Sequence, residues 1–115
     1  MAADKNLIKE TLNITLQNSG AAIFSLGEFY VQTAAVSENE LYCEAVSHHY
    51  HNAVDIGLEN KFQNMGFHLE EGGNYSRKYR LNGEYNIEKV SDEIVYIFEN
   101  VYAADNTQPF EITEL

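Results

Sequence analysis

The chain has 115 residues, of which 18 are acidic and 7 basic, for a formal net charge of −11 at neutral pH. Its length sets one domain with room for a core, and 44% apolar residues separate it from chains that stay disordered by composition. The acidic balance speaks against nucleic acid, whose phosphates need clustered Lys and Arg, and against anionic membrane surfaces; it suits partners that are basic or mixed in charge.

In chain order, residues 4 to 18 predict a first helix. Asp4 is a suitable N-cap, Gly20 a suitable C-cap, and Leu7, Ile8, Leu12, Ile14 and Leu16 form a wide apolar stripe. Ala22–Leu26 predicts a short strand with a turn at Gly27. The next stretch, FYVQTAAVSENELYCEAV from Phe29 to Val46, organises the rest. Phe29, Val31, Thr33 and Ala35 alternate with Tyr30, Gln32 and Ala34, and Leu41, Cys43 and Ala45 alternate with Tyr42, Glu44 and Val46. That period of two predicts an antiparallel hairpin turning at Ser37–Glu40, its second strand running to Ser47.

Residues 53 to 65 predict a second helix with Val54, Leu58, Phe62 and Met65 on one face, softened at its start by Gly57. Gly66 stops it, and Phe67 is placed to fold back on its end. Phe67–Glu71 and Tyr75–Leu81 predict a second hairpin around Gly72-Gly73-Asn74. After a turn at Asn82-Gly83, Asn86 caps a third helix from Ile87 to about Ala103, with Ile87, Val90, Ile94, Ile97, Phe98 and Val101 at helical spacing. Residues 104–115 read as a tail whose Phe110 and Ile112 dock on the body or lie free. The expectation is one α+β domain over residues 1–115, in the order α-β-β-β-α-β-β-α, with a five-stranded, mainly antiparallel sheet and three helices on one face.

Cys43 is the only cysteine, so no intrachain disulfide forms, and its place within a strand predicts a buried thiol. MAADKNLIKE has neither the basic nor the apolar region of a signal peptide, and no apolar run reaches membrane length, so the protein is expected in the cytoplasm.

Several short stretches carry a family resemblance: Tyr30-Val31-Gln32, Glu44-Ala45-Val46-Ser47, Leu58 through Gly66-Phe67, Asn74-Tyr75 with Arg77 and Tyr79, and Val95 through Val101-Tyr102. Together with the element order and the acidic charge, they resemble the type III secretion chaperone-like fold, which includes the class I secretion chaperones and the YbjN-like bacterial sensory transduction regulators. The resemblance covers residues 5 to about 103. It implies a non-enzymatic protein that binds other polypeptides, often as a homodimer. In secretion chaperones an unfolded client segment wraps the dimer and fills apolar grooves, which in physical terms resembles strand addition with pocket filling. The polar segment SHHYHN, ahead of the second helix, departs from that pattern.

Two constellations stand apart. Ser47-His48-His49-Tyr50-His51-Asn52 holds the densest set of potential ligands, which His68, Glu44 or Asp55 could complete. Read as chemistry, it makes a metal-binding enzyme or sensor on His48, His49 and His51; read plainly, it is a solvated loop, since the run matches no standard zinc spacing. Tyr75-Ser76-Arg77-Lys78-Tyr79-Arg80 is the one basic spot. Alternation places Arg77 with Tyr75 and Tyr79, where it can stack on a tyrosine, and Lys78 with Arg80 on the other side. The plain reading is a solvated strand whose charges block edge-to-edge aggregation; the functional reading is a docking point for an acidic partner.

No spacing of Ser, His and Asp suggests a nucleophile with its base, and Gly72-Gly73 does not fit a phosphate loop. The expectation is therefore a protein-binding module without catalytic residues, cofactor or metal. Its candidate partner-binding residues are Tyr30, Gln32, Tyr42, Phe67, Arg77 and Tyr79.

Overall fold

The computed structural model describes residues 3–46, 58–71, 73–104 and 107–115. Helix α1 spans Lys5–Gln17 and starts as expected, with the Asp4 carboxylate accepting from the amides of Asn6 at 3.0 Å and Leu7 at 3.2 Å. Its far end differs. The amide of Ser19 reaches the Leu16 carbonyl and that of Gly20 the Thr15 carbonyl, so the left-handed residue of this end motif is Ser19, at φ 51°, and not Gly20. The buried stripe is also rotated. Ile8, Thr11, Leu12 and Thr15 face inward, while Leu7 and Ile14 are 44% and 38% exposed. The helix packs on the strands Ala21–Leu26 and Phe29–Ser37 and on the helix Ile87–Tyr96, and the small Thr side chains sit on that inner side.

Strands β1 (Ala21–Leu26), β2 (Phe29–Ser37) and β3 (Glu40–Ala45) form an antiparallel meander. Leu26 pairs with Phe29 across Gly27-Glu28, and Gly27, at φ 64°, holds the position where a type II′ turn needs glycine. Helix α2 (Glu59–Asn64) ends in the same motif as α1, with Gly66 at φ 85° and the Phe67 amide on the Phe62 carbonyl at 2.9 Å. The Phe67 ring then folds back on Phe62, with 5.4 Å between ring centroids. Strand β4 is only His68–Leu69, shorter than the expected Phe67–Glu71; β5 is Tyr75–Arg80 and pairs with both β4 and β3.

Helix α3 (Ile87–Tyr96) begins on Asn86, whose side chain accepts the Lys89 amide at 2.8 Å. Its expected last turns widen into a π-helical turn over Ile97–Val101. The Tyr102 amide bonds the Ile97 carbonyl five residues back, at 2.8 Å. The wider turn gathers Ile97, Phe98, Val101 and Tyr102 on the buried side. The expected tail contains a sixth strand, β6 (Phe110–Glu114), antiparallel to β1. Among the described residues the sheet therefore has six strands, in the order β4-β5-β3-β2-β1-β6, and not five.

Directly opposed residues in an antiparallel pair share a face. The row Phe24, Val31, Ala45, Tyr75 and the row Ala22, Thr33, Cys43, Arg77 therefore lie on one side. That side carries the core, with Phe24, Val31, Leu41, Cys43, Tyr75 and Tyr79 fully buried. The helices pack there: Phe62 of α2 stacks on Tyr75 at 4.5 Å, and the Tyr102 hydroxyl donates to the Val46 carbonyl at 2.6 Å. No helix among the described residues is long and apolar enough to cross a membrane. Ser47, His48, His49, His51, Val54, Asp55, Gly57 and the expected start of the second helix at residue 53 lie outside the described residues.

Candidate functional site

The other side of the sheet is lined by the row Thr113, Ile23, Gln32, Glu44, Ser76, His68 and the row Ala21, Ala34, Tyr42, Lys78, with Ser25 and Tyr30 beside them. Among the described residues no helix packs on it, because α1, α2 and α3 all bury their apolar stripes on the opposite side. Its centre is small, apolar or aromatic, with Ala21, Ile23, Tyr30, Ala34 and Tyr42 all half-buried. Charges sit around that centre: Glu44, His68, Glu70, Lys78, Arg80 and Glu111.

Hydrogen bonds fix the β5 end of this face. The Asn74 amide donates to Glu44 Oε2 at 2.9 Å and reaches the Tyr30 hydroxyl at 3.4 Å. Ser76 Oγ donates to Glu70 Oε1, and the His68 Nε2 lies 3.2 Å from the same oxygen. The Ser76 bond, ahead of the His68 charge, holds the Glu70 carboxyl below the usual carboxylate range. Burial pushes the Tyr42 hydroxyl up, its hydrogen bond with Ser76 opposing the rise and the Glu44 charge adding to it. In this cluster the carboxylate stands between Ser76 and His68. A nucleophilic serine needs the imidazole on its own proton, so the order here is that of a structural network.

The six sequence candidates divide between the two faces. Tyr30, Gln32 and Tyr42 lie together on the open face. Phe67 and Tyr79 are core residues, 2% and 0% exposed, and offer no surface to a partner. Arg77 is half-buried on the helix-covered side, its guanidinium carbon 4.1 Å from the Tyr79 ring centroid and 4.8 Å from that of Tyr85. It donates to the Met65 carbonyl that ends α2, to the Tyr85 hydroxyl and to the Lys78 carbonyl. The expected stacking on tyrosine is present, and it binds three segments of this chain together. Lys78 and Arg80 stay exposed, Arg80 3.5 Å from Glu40, beside a concavity of ≈ 480 Å³ that Arg77 also lines.

Sequence alternation separated the two faces of each strand but did not say which one the helices would cover. Ile23, Ala34 and the Asn74–Glu44 bond were therefore missed, and the only signal for them was the pairing register. Among the described residues no group of three His, Cys, Asp or Glu converges as a metal would require. No family model, curated protein or solved structure matches this chain.

Proposed function

We propose that this chain is a non-enzymatic protein-binding module, chaperone-like or regulatory, that seats a polypeptide partner of basic or mixed charge on the open face of its sheet. The observation that carries this reading is the patch of Tyr30, Gln32, Ala34, Tyr42 and Ile23, uncovered among the described residues, within a charged surround. An aromatic centre with a polar rim has the anatomy of a protein interface. The net charge of −11 favours approach of a basic partner and repels an acidic one. The resemblance to the secretion chaperone-like group supports the same reading and brings a homodimer with it. In this proposal Tyr30, Gln32 and Tyr42 touch the partner, while Phe67, Arg77 and Tyr79 hold the sheet and helices in place behind them.

Co-purification of the full chain from its native host, beside a Gln32→Arg, Tyr42→Ser variant, tests the proposal. The expected result is a stoichiometric polypeptide held by the wild type and lost by the variant, with the variant's circular dichroism unchanged. Retention of the same polypeptide by both proteins, or its absence from both, overturns the open-face reading.

A further inference from the structure

Strand β6 ends the sheet, and its outer edge is free among the described residues. The register says which backbone groups lie on that edge. The Leu115 amide bonds the Ala21 carbonyl at 2.8 Å, so Leu115 and Ala21 are a hydrogen-bonded pair. Alternation makes Thr113 with Ile23, and Glu111 with Ser25, the next such pairs toward β1. On the other side of β1, the Ala35 amide bonds the Gly20 carbonyl at 2.9 Å, which turns Ala22, Phe24 and Leu26 toward β2 and agrees with that parity. Phe110, Ile112 and Glu114 therefore aim their N–H and C=O groups outward, a row of three donors and three acceptors with no strand beside them among the described residues.

The side chains of this edge have a definite chemistry. Glu111 and Glu114 are exposed and, among the described residues, form no ion pair, while β6 carries no cation. Phe110 and Ile112 are half-buried beneath the strand, Phe110 lying 6.1 Å from Phe98. The geometry points to β6 as the docking edge for an extended segment of a partner protein that adds as a seventh, antiparallel strand and carries Lys or Arg opposite Glu111 and Glu114 and an apolar residue opposite Ile112. A second copy of β6 pairs in the same parity but brings no positive charge and sets chains of −11 against each other, so charge selects the basic strand. This inference rests on the protein-binding reading above, though β6 lies outside residues 5 to about 103, which carry the family resemblance.

The test is fluorescence anisotropy of a labelled peptide with the core Lys-Thr-Ile-Lys-Phe, titrated with the full chain. Ile112→Pro deletes an outward N–H and leaves the bonds to β1 intact. It is expected to weaken binding by about tenfold or more. Glu111→Lys with Glu114→Lys is expected to abolish binding of the basic peptide and admit an acidic analogue. Glu38→Lys with Glu99→Lys, an equal change of charge at exposed positions away from β6, is expected to leave the peptide affinity unchanged. Equal binding of a Phe-Glu-Ile-Thr-Glu peptide, indifference to Ile112→Pro with indifference to the charge reversal, or no binding by the wild type overturns the edge proposal. If the wild type holds its host partner but not this peptide, the edge proposal falls and the function stands; if it binds the peptide without any host partner, the reverse holds.

Discussion

Arg77 shows how one side chain ties this fold together. Its guanidinium lies against the rings of Tyr79 and Tyr85 and donates to Met65, Lys78 and Tyr85, so it joins the end of α2 to β5 and to the turn before α3. It also fills the space above Gly66, where an added Cβ would come 2.7 Å from Arg77 Nη1. Gly66 itself sits at φ 85°, a conformation that side chains disfavour. Gly66→Ala therefore combines backbone strain with displacement of the guanidinium, and Arg77→Met strands the Met65 carbonyl and the Tyr85 hydroxyl. Each substitution is expected to cost about 1–3 kcal/mol. The double variant is expected to cost about 0.5 kcal/mol or more below the sum, because removing the guanidinium clears the clash. Urea denaturation of the four proteins measures the cycle, and strict additivity would contradict the contact. Cys43 illustrates the opposite case: it faces Arg77 across the β3–β5 pair, yet burial pushes its thiol far above the ordinary value, with Arg77 opposing only in part. Fully buried in the core, it is placed as a packing residue.

At the scale of elements, β6 is the addition that changes the molecule, because it moves the edge of the sheet from β1 to itself. The parity of its register predicts hydrogen exchange residue by residue. Amides of Glu111, Thr113 and Leu115 are directed at β1 and are expected to be protected, whereas those of Phe110, Ile112 and Glu114 are expected to exchange quickly. Amide-resolved exchange by NMR checks this, and uniform protection across the strand would mean that something already covers the edge. The sequence made the meander legible because β1 and β3 alternate cleanly, β2 does so up to a register shift between Ala35 and Ser37, and two-residue turns at Gly27-Glu28 and Glu38-Asn39 join them. The caps Asp4 and Asn86 were legible for the same local reason: each is a side chain bonding amides two or three residues on. β6 was not, since Phe110 and Ile112 gave only two apolar alternations in a stretch holding the one proline, and its partner lies about 88 residues earlier in the chain. The rotated stripe of α1 had a tertiary origin as well: Thr11 and Thr15 face the sheet in place of Leu7 and Ile14, a choice that hydrophobicity alone does not express. Helices on one face were expected, but which residues line the opposite face depended on the strand register, and no single element contains that fact.

For the whole molecule, the question is whether one open face suffices for the homodimer carried by the proposed function. Five inter-strand spacings of about 4.8 Å and six residues at about 3.3 Å make a face of roughly 24 by 20 Å. Its flat area, on the order of 480 Å², is below the about 800 Å² per partner of a standard interface, and side-chain relief closes only part of the gap. The contact surface therefore stands at the weak end. Against it works the charge, since two copies at −11 each repel. At physiological salt that repulsion is screened beyond about 8 Å, and at very low salt it extends several times further. A basic client would remove this penalty, whereas a second copy doubles the charge. The free chain is thus expected to be a concentration-dependent dimer at moderate salt, with a dissociation constant on the order of micromolar or weaker, and to become monomeric as salt is removed. Sedimentation equilibrium across a salt series measures both terms. A monomer at every salt and at high protein concentration would eliminate the dimer and weaken the chaperone-like reading. A dimer that tightens at low salt would show that opposite charges meet at the interface, which the net charge alone does not provide.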